Sequence, residues 1–301
     1  MPFLTAEQIS RLAVELLVRR IVLPRTVLRV PGRDFAGPSG GTVTLRVPVP
    51  REAREQETPK TPITFDDTDE VPQTFQVRHI YDGEQVSDED LTLSIEDFGR
   101  QVLAPQVAAV ATRAERELAA AMNDLTAETS FPIEPADPGD EDHAGLEDTI
   151  LEAGELLDND DVPAGDRTLA VGSRIARRLL RNPKLVKVNE SGSPDALRQA
   201  SLGNLYGFEI VKSAALTSTE ATAYHRSGFA FATVTPVSPQ GAASSSTAAR
   251  DGITVRVIRQ YNPSILSEEV VTSVFAGALA LAEDDPPTDF VRSVKIDTAT
   301  S

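Results

Sequence analysis

The stretch 80–122, IYDGEQVSDEDLTLSIEDFGRQVLAPQVAAVATRAERELAAAM, decides the architecture of this chain. It reads as the end of a strand, a tight turn, and then one helix of roughly 28 residues, about 42 Å long at 1.5 Å per residue. Ser94 is a good N-cap for the open first turn, and Glu96 and Asp97 sit where the helix dipole is positive. Apolar residues then recur at helical spacing: Ile95, Phe98, Val102, Val107, Val110, Ala114, Leu118, Ala121 and Met122. Pro105 lacks an N–H and crowds the preceding turn, which predicts a kink or brief break near Val102 and Leu103. A helix this long, between a polar ribbon and an α/β region poor in aromatics, fits a spine for assembly. It does not fit the short helix of a catalytic crossover.

Upstream, residues 5–20 form a helix that Thr5 can cap, with Ile9, Leu12, Ala13, Leu16 and Leu17 on one apolar face. Pro24 and Pro31 then hold an extended arm. The apolar face of that arm needs a surface, either the body of the chain or a neighbour. Residues 42–50 (TVTLRVPVP) alternate as a half-buried strand, and 75–81 alternate through Phe75, Val77, His79 and Tyr81 as its return partner. The segment between them is too polar and proline-broken to make a core. A two-stranded ribbon is marginally stable alone, so this element is expected to lie on another subunit.

Downstream, residues 127–145 are acidic and rich in Pro and Gly, and read as a surface excursion. Residues 146–158 read as a helix with Leu146, Ile150, Leu151 and Leu157 apolar, and 167–171 (RTLAV) as a short buried strand. Ser173 caps a helix over 174–181. Residues 203–213 supply two glycine-marked turns and a strand, and 229–235 another strand. Residues 238–250 (SPQGAASSSTAAR) read as a flexible loop by composition. Residues 253–260 and 270–281 are long strands returning to the helix, and 283–301 form a polar tail with one short strand within 290–296. Strand and helix alternate without a fixed-period repeat, which argues for a mixed α and β chain.

Four segments together resemble the major capsid proteins of tailed bacteriophages of actinobacteria. They are TPITFDDTDEVPQ (61–73), YDGEQVSDEDLTLSIEDFGRQVLAPQV (81–107), LVKVNESGSPDALRQASLGNLYGFEIVKS (185–213) and EEVVTSVFAGA (268–278). The resemblance spans roughly 1–282 and rests on the order of elements, since that family has no catalytic signature. It implies an α+β chain with the Hong Kong 97-like capsid fold. The implied divisions are an N-terminal arm (1–33), an extended β-ribbon loop (34–80) and a peripheral domain with the spine helix (81–127). An axial α/β domain (128–250), returning strands of the peripheral domain (251–282) and a C-terminal tail (283–301) complete them. In that family the extended loop reaches across the adjacent protomer, and the axial domain packs around five-fold and six-fold axes. The chain begins directly with the arm and leaves no room for a large axial insertion, so a separate scaffolding protein, or assembly without one, is expected.

Composition excludes several chemistries. With no Cys, the chain has no disulfide, zinc-thiolate site or thiol nucleophile. A formal charge of −17 repels phosphate backbones, which argues against sequence-specific nucleic-acid binding and suits a wall that does not adhere to enclosed DNA. Charge is also segregated. Residues 134–161 hold twelve Asp or Glu and no Lys or Arg; residues 174–187 hold six basic residues and no acid. These stretches read as solvated faces or as complementary edges that meet between subunits. No apolar run approaches the length of a membrane span, and residues 1–20 lack a signal-peptide pattern. The expectation is a soluble chain made and used inside a cell.

Candidate sites are weak. Gly37, Pro38, Ser39, Gly40 and Gly41 precede a strand and not a helix, so they fail the phosphate-loop context. Asp66, Asp67, Asp69 and Glu70 lack calcium-loop spacing, and Asp140, Glu141, Asp142 and His143 make a poor metal set. The histidines, His79, His143 and His225, sit in no nucleophile signature. Lys60 is the sole lysine before Val171; some proteins of the resembling fold join a loop lysine to a neighbour's asparagine, but its polar, proline-stiffened surroundings predict no such bond. No catalytic, cofactor-binding or metal residue is expected.

The expected function is a structural one, a capsid subunit that assembles with itself into pentamers and hexamers. The shell would enclose double-stranded DNA in the virion and assemble in the host cytoplasm, without a membrane and with separate scaffolding, portal or decoration proteins as partners. The alternatives are an encapsulin-like nanocompartment shell, distinguished by its gene neighbours, and a cytoplasmic α/β enzyme, distinguished by a compact turnover-competent monomer.

Overall fold

Local periodicity sets the first elements along the chain. The structure, a computed structural model, describes residues 6–30, 41–48, 55, 65, 70–91, 98–132, 144–181, 203–250, 253–283 and 290–299. Helix α1 (Ala6–Arg20) buries the stripe Ile9, Ala13, Val14 and Leu17. That stripe takes the chain's own body as its surface. Ser10 Oγ lies 2.7 Å from Ser246 Oγ, and Arg250 pairs with Glu15 at 3.0 Å. A 3-10 turn at Leu23–Arg25 and strand β1 (Leu28–Val30) continue the contact, with Leu23, Pro24 and Val27 buried. Over residues 6–30 the expected arm is therefore stitched to its own subunit, because apolar partners for it exist within the chain.

Strands β2 (Thr42–Pro48) and β3 (Glu70–Gln76) form a two-stranded antiparallel ribbon, with Val43 opposite Phe75 and Leu45 opposite Gln73. The return strand is thus 70–76 and not 75–81. The chain leaves the ribbon at Val77, and β4 (Arg78–Ser87) joins a different sheet. The expected tight turn at Asp82 and Gly83 lies inside β4. Gly83 stands opposite Val271, where a Cβ would come within 3.3 Å of the valine side chain. Its glycine permits close approach and does not make a turn.

A π-helical turn at Gly99–Leu103 runs into helix α2 (Ala104–Asn123), with Pro105 in its first turn. The break expected from Pro105 is present as this change of helical pitch, which shifts the hydrogen-bond ladder where proline cannot donate. Ser94, Ile95, Glu96 and Asp97 lie outside the described residues. Val107, Val110, Ala111, Ala114, Leu118, Ala119 and Met122 are buried. Phe98 is only half-buried; the Arg259 guanidinium lies 4.6 Å from its ring centroid.

The remaining elements are β5 (Ala127–Pro132), α3 (Ala144–Asn159), β6 (Arg167–Val171), α4 (Ser173–Arg181), β7 (Asn204–Leu205), β8 (Phe208–Lys212) and β9 (Ala221–His225). After them come β10 (Phe229–Val234), β11 (Ser244–Arg250), β12 (Ile253–Asn262), β13 (Ser267–Ala280) and β14 (Ser293–Ala299). One sheet runs β1-β10-β13-β12-β11, with β4 also pairing β13; a second runs β5-β14-β9-β6-β8-β7. Tyr206 (φ 50°) and Gly207 (φ 85°) turn the β7–β8 hairpin in the left-handed region.

Sheet membership corrects several expectations. Residues 229–250, assigned by resemblance to the axial division, supply β10 and β11 of the first sheet. Residues 244–250, read as a loop, pair with β12 along their whole length. Residues 127–132, read as a surface excursion, run parallel to β14, and β14 is an interior strand of the second sheet and no tail. Tertiary pairing outweighs the low strand propensity of these Ser-, Ala- and Thr-rich segments. In α3, Leu151 is exposed and Ala153 takes the buried position.

Helix α2 joins the two sheets. Gln106 Nε2 donates to the Val270 carbonyl at 3.2 Å, and Gln106 Oε1 accepts from Thr272 Oγ1 at 2.9 Å, fixing α2 to the first sheet. Buried Glu115 accepts from Ser213 Oγ at 2.7 Å, just beyond β8 of the second sheet. Lys295 Nζ of β14 donates to the Asn123 carbonyl at 2.5 Å, holding the last turn. Among the described residues no helix is long and apolar enough to cross a membrane.

Leu118 is fully buried in the main apolar cluster, so Leu118→Ala should lower unfolding free energy by about 2–5 kcal/mol in denaturant titration. Phe98→Ala, at the half-exposed rim, should cost clearly less. Equal losses would contradict the burial pattern of this helix.

Candidate functional site

The residues singled out for chemistry do not converge. Gly41, in the left-handed region (φ 85°), serves the turn into β2. Glu70 opens β3 and pairs with Arg46 at 3.2 Å. Lys60, Asp66, Asp67, Asp69, Asp140, Glu141, Asp142 and His143 lie outside the described residues, as do Gly37 to Gly40. His79 stacks on Phe275 with centroids 4.6 Å apart; partial burial, then the nearby Arg256 charge, pushes its pKa down. His225 Nδ1 lies 2.7 Å from Ser227 Oγ and accepts from the Ser227 N–H, capping the short turn Arg226–Gly228. Burial lowers its pKa, with Asp166 opposing. Buried Tyr224 is pushed well above the usual phenol range by desolvation, while its hydroxyl shares a 2.6 Å hydrogen bond with Thr26 Oγ1. Each of these side chains completes local packing. Among the described residues no group of three or more His, Asp or Glu could hold a metal.

What the surface does carry is a ribbon fixed at its base. Val43, Val47 and Phe75 pack with Val30, Ala230, Ala232 and Leu281 in a small apolar cluster of their own. Gln73, buried at an inward position of the ribbon, faces the backbone of Ala282. Its Oε1 accepts from the Ala282 N–H at 3.1 Å, and its Nε2 donates to the Ala282 carbonyl. At Gly277 the ribbon passes so close that a Cβ would stand 2.6 Å from the Gln76 carbonyl oxygen. The ribbon therefore leaves the first sheet from a rigid seat on the face opposite α1 and α2.

Among the described residues, the same sheet face continues beyond the seat without cover. His79, Phe275 and Tyr81 form an aromatic row there, with Tyr81 68% exposed. At the far end of β12 and β13, Tyr261, Ile265 and Leu266 are exposed around the connecting turn, and Tyr261 donates to Asp88 at 2.7 Å. Exposed apolar groups of this kind mark interaction surfaces. Gln73 and Gly277 escaped the sequence reading. The available signal for Gln73 was a polar residue on the inward phase of Val71, Gln73 and Phe75.

By sequence, no protein family matches the chain and no curated protein does. Solved structures do. A chain of Mycobacterium phage Che8 matches with a TM-score of 0.59 over 92% of this chain and 90% of that one, at 19% identity. The capsid of the cyanophage P-SCSP1u gives 0.60 over 92% and 87%, at 14% identity. The virus-like particle from Pyrococcus furiosus gives 0.56 over 96% and 98%, at 10% identity. The chain has the α+β Hong Kong 97-like capsid fold.

Gln73→Leu keeps the volume but leaves the Ala282 N–H and carbonyl unpaired, which should cost about 1–3 kcal/mol. Amide hydrogen exchange should speed up across β2 and β3 while α2 keeps its protection. Unchanged ribbon exchange would show that Gln73 does not hold the seat.

Proposed function

We propose that this chain is the major capsid subunit of a tailed double-stranded DNA bacteriophage, a structural protein and not an enzyme. The observation that carries this reading is the match of phage capsid structures along nine-tenths of the chain. The subunit assembles with itself into pentamers and hexamers of an icosahedral shell. Assembly takes place in the host cytoplasm, and the shell becomes part of the virion. Its partners are further copies, with scaffolding, portal and decoration proteins as separate chains. The ribbon, seated at its base, extends onto a neighbour that supplies the backing a two-stranded element needs. An acidic wall, from a net charge of −17, leaves packaged DNA unbound by sequence.

A nanocompartment shell is the second reading, favoured by the likeness to the Pyrococcus furiosus particle. Nuclease-protected DNA inside particles purified from the native source supports the phage shell; protein cargo without DNA supports the compartment.

Deleting residues 51–61 tests the ribbon's role. The expected product is a folded subunit, unchanged in circular dichroism, that forms no closed shells by sedimentation. Normal particles from this deletion would overturn the intersubunit role of the ribbon tip.

Lys60 is expected to form no isopeptide bond, so shell cohesion rests on non-covalent contacts. Boiled particles should run as one band near 32.3 kDa in denaturing gels. A ladder of covalent multimers that Lys60→Ala abolishes would show the opposite.

A further inference from the structure

The outer layer of the second sheet separates charge by helix. α3 carries Glu147, Asp148, Glu152, Glu155 and Asp158 with no Lys or Arg, whereas α4 carries Arg174, Arg177, Arg178 and Arg181 with no acid. Both helices cover the same sheet face, since their apolar stripes (Ile150 and Leu157; Ile175 and Leu179) share one cluster. Helix α3 lies against β5, β14 and β9, and α4 opens the crossover from β6 to its parallel neighbour β8. The acidic and basic stripes thus occupy different flanks of one layer.

Each stripe runs along one face of its helix. Asp148, Glu152 and Glu155 recur at i, i+4 and i+7; Arg174, Arg177 and Arg178 at i, i+3 and i+4. Asp148, Glu155 and Arg177 are exposed, and among the described residues none of the three has an ion-pair partner. An open depression lined by Ser173, Arg174, Arg177 and Ser218 adjoins the basic stripe and sets hydroxyl donors beside its cations. In a chain of net charge −17, copies repel one another except where such a stripe meets its complement.

We propose that the arginine stripe of α4 docks on the acidic stripe of α3 in the next copy of this chain, setting subunit register in each ring. A patch and its complement on different flanks of one molecule define a head-to-tail contact, which closes into a ring when the rotation divides a full circle. Charge complementarity selects that register and suppresses wrong contacts more than it adds raw affinity. The inference rests on the shell reading above and specifies which surfaces meet around the ring.

Charge reversal in trans tests it. Arg177→Glu and Glu155→Arg, made separately in the full chain, should keep the wild-type melting transition, because both side chains are exposed. Each should lower particle yield at least several-fold in about 0.1 M salt. Mixing the two variants should restore six-membered rings, in which they can alternate so that every contact meets its opposite, and the double variant, which restores every contact in either ring, should restore closed particles. Yield for either single variant equal to wild type, or no rescue in the double variant, overturns the pairing. A 30-base-pair DNA duplex serves as the competing probe. If wild-type particles bind it, and Arg177→Glu loses that binding while assembling normally, the stripe is a nucleic-acid surface and the proposal fails. If the wild-type chain forms no particles at all, the shell reading itself fails, a result distinct from loss of assembly in the variants alone.

Discussion

Burial of the broad apolar face of helix α2 is the constraint from which the rest of the fold follows. A helix with such a face must cover it, while Thr112, Arg113 and Arg116 stay exposed on the other side. Here α1 and the first sheet cover part of it, and the second sheet reaches another part through Ser213 and Tyr224. The polar residues that α2 does bury are positioned and not stray. Gln106 bonds to both Val270 and Thr272, and Glu115 takes the Ser213 hydroxyl. Each satisfied pair fixes the rotation of the helix about its axis, because a slip would strand a buried amide or carboxylate without a partner. With α2 fixed, the two sheets hold a set orientation, and the ribbon seat on the opposite face of the first sheet is fixed with them.

Much of this was legible in the sequence because period is local. Alternation marked 42–50 and 253–260 as strands, observed at 42–48 and 253–262, and helical spacing marked 5–20 and the long helix ending at Met122, observed at 6–20 and 104–123. The proline break appeared as a π turn within a few residues of the expected place. What sequence could not supply was partnership. Ser244–Arg250 has the composition of a loop and becomes a strand because β12 offers its edge and α1 covers the hairpin. Arg78–Ser87 contains Asp82-Gly83, a turn signal, yet β13 pairs with it over ten residues and the glycine lets Val271 in. The ribbon base was misread for the same reason. Phe75 begins an apparent alternation through His79 and Tyr81, but Val77 marks a change of sheet that period alone does not record.

The surface was less legible than the core. The functional surface lacks a concentrated chemical signature: its parts are a ribbon seated by one glutamine, a row of exposed aromatics and two helices of opposite charge. None of these is a motif, since in the proposed shell each acts only when a second copy arrives. The charge segregation was visible as runs along the chain, but only the shared sheet face reveals that the acidic and basic stripes sit on different flanks of one layer. Individual surface ion pairs are weak, and a closed shell multiplies weak contacts by many equivalent sites. In the proposed shell, specificity comes from geometry, with the seat aiming the ribbon and the charge pattern setting the register.

The most direct test of the account is electron microscopy of the purified full-length chain at physiological salt, paired with sedimentation velocity on the same sample. The account requires uniform polyhedral particles, sedimenting as one large species and showing pentameric and hexameric clusters in class averages. A stable monomer or small oligomer at high protein concentration, with no closed particles in any salt condition, would contradict it.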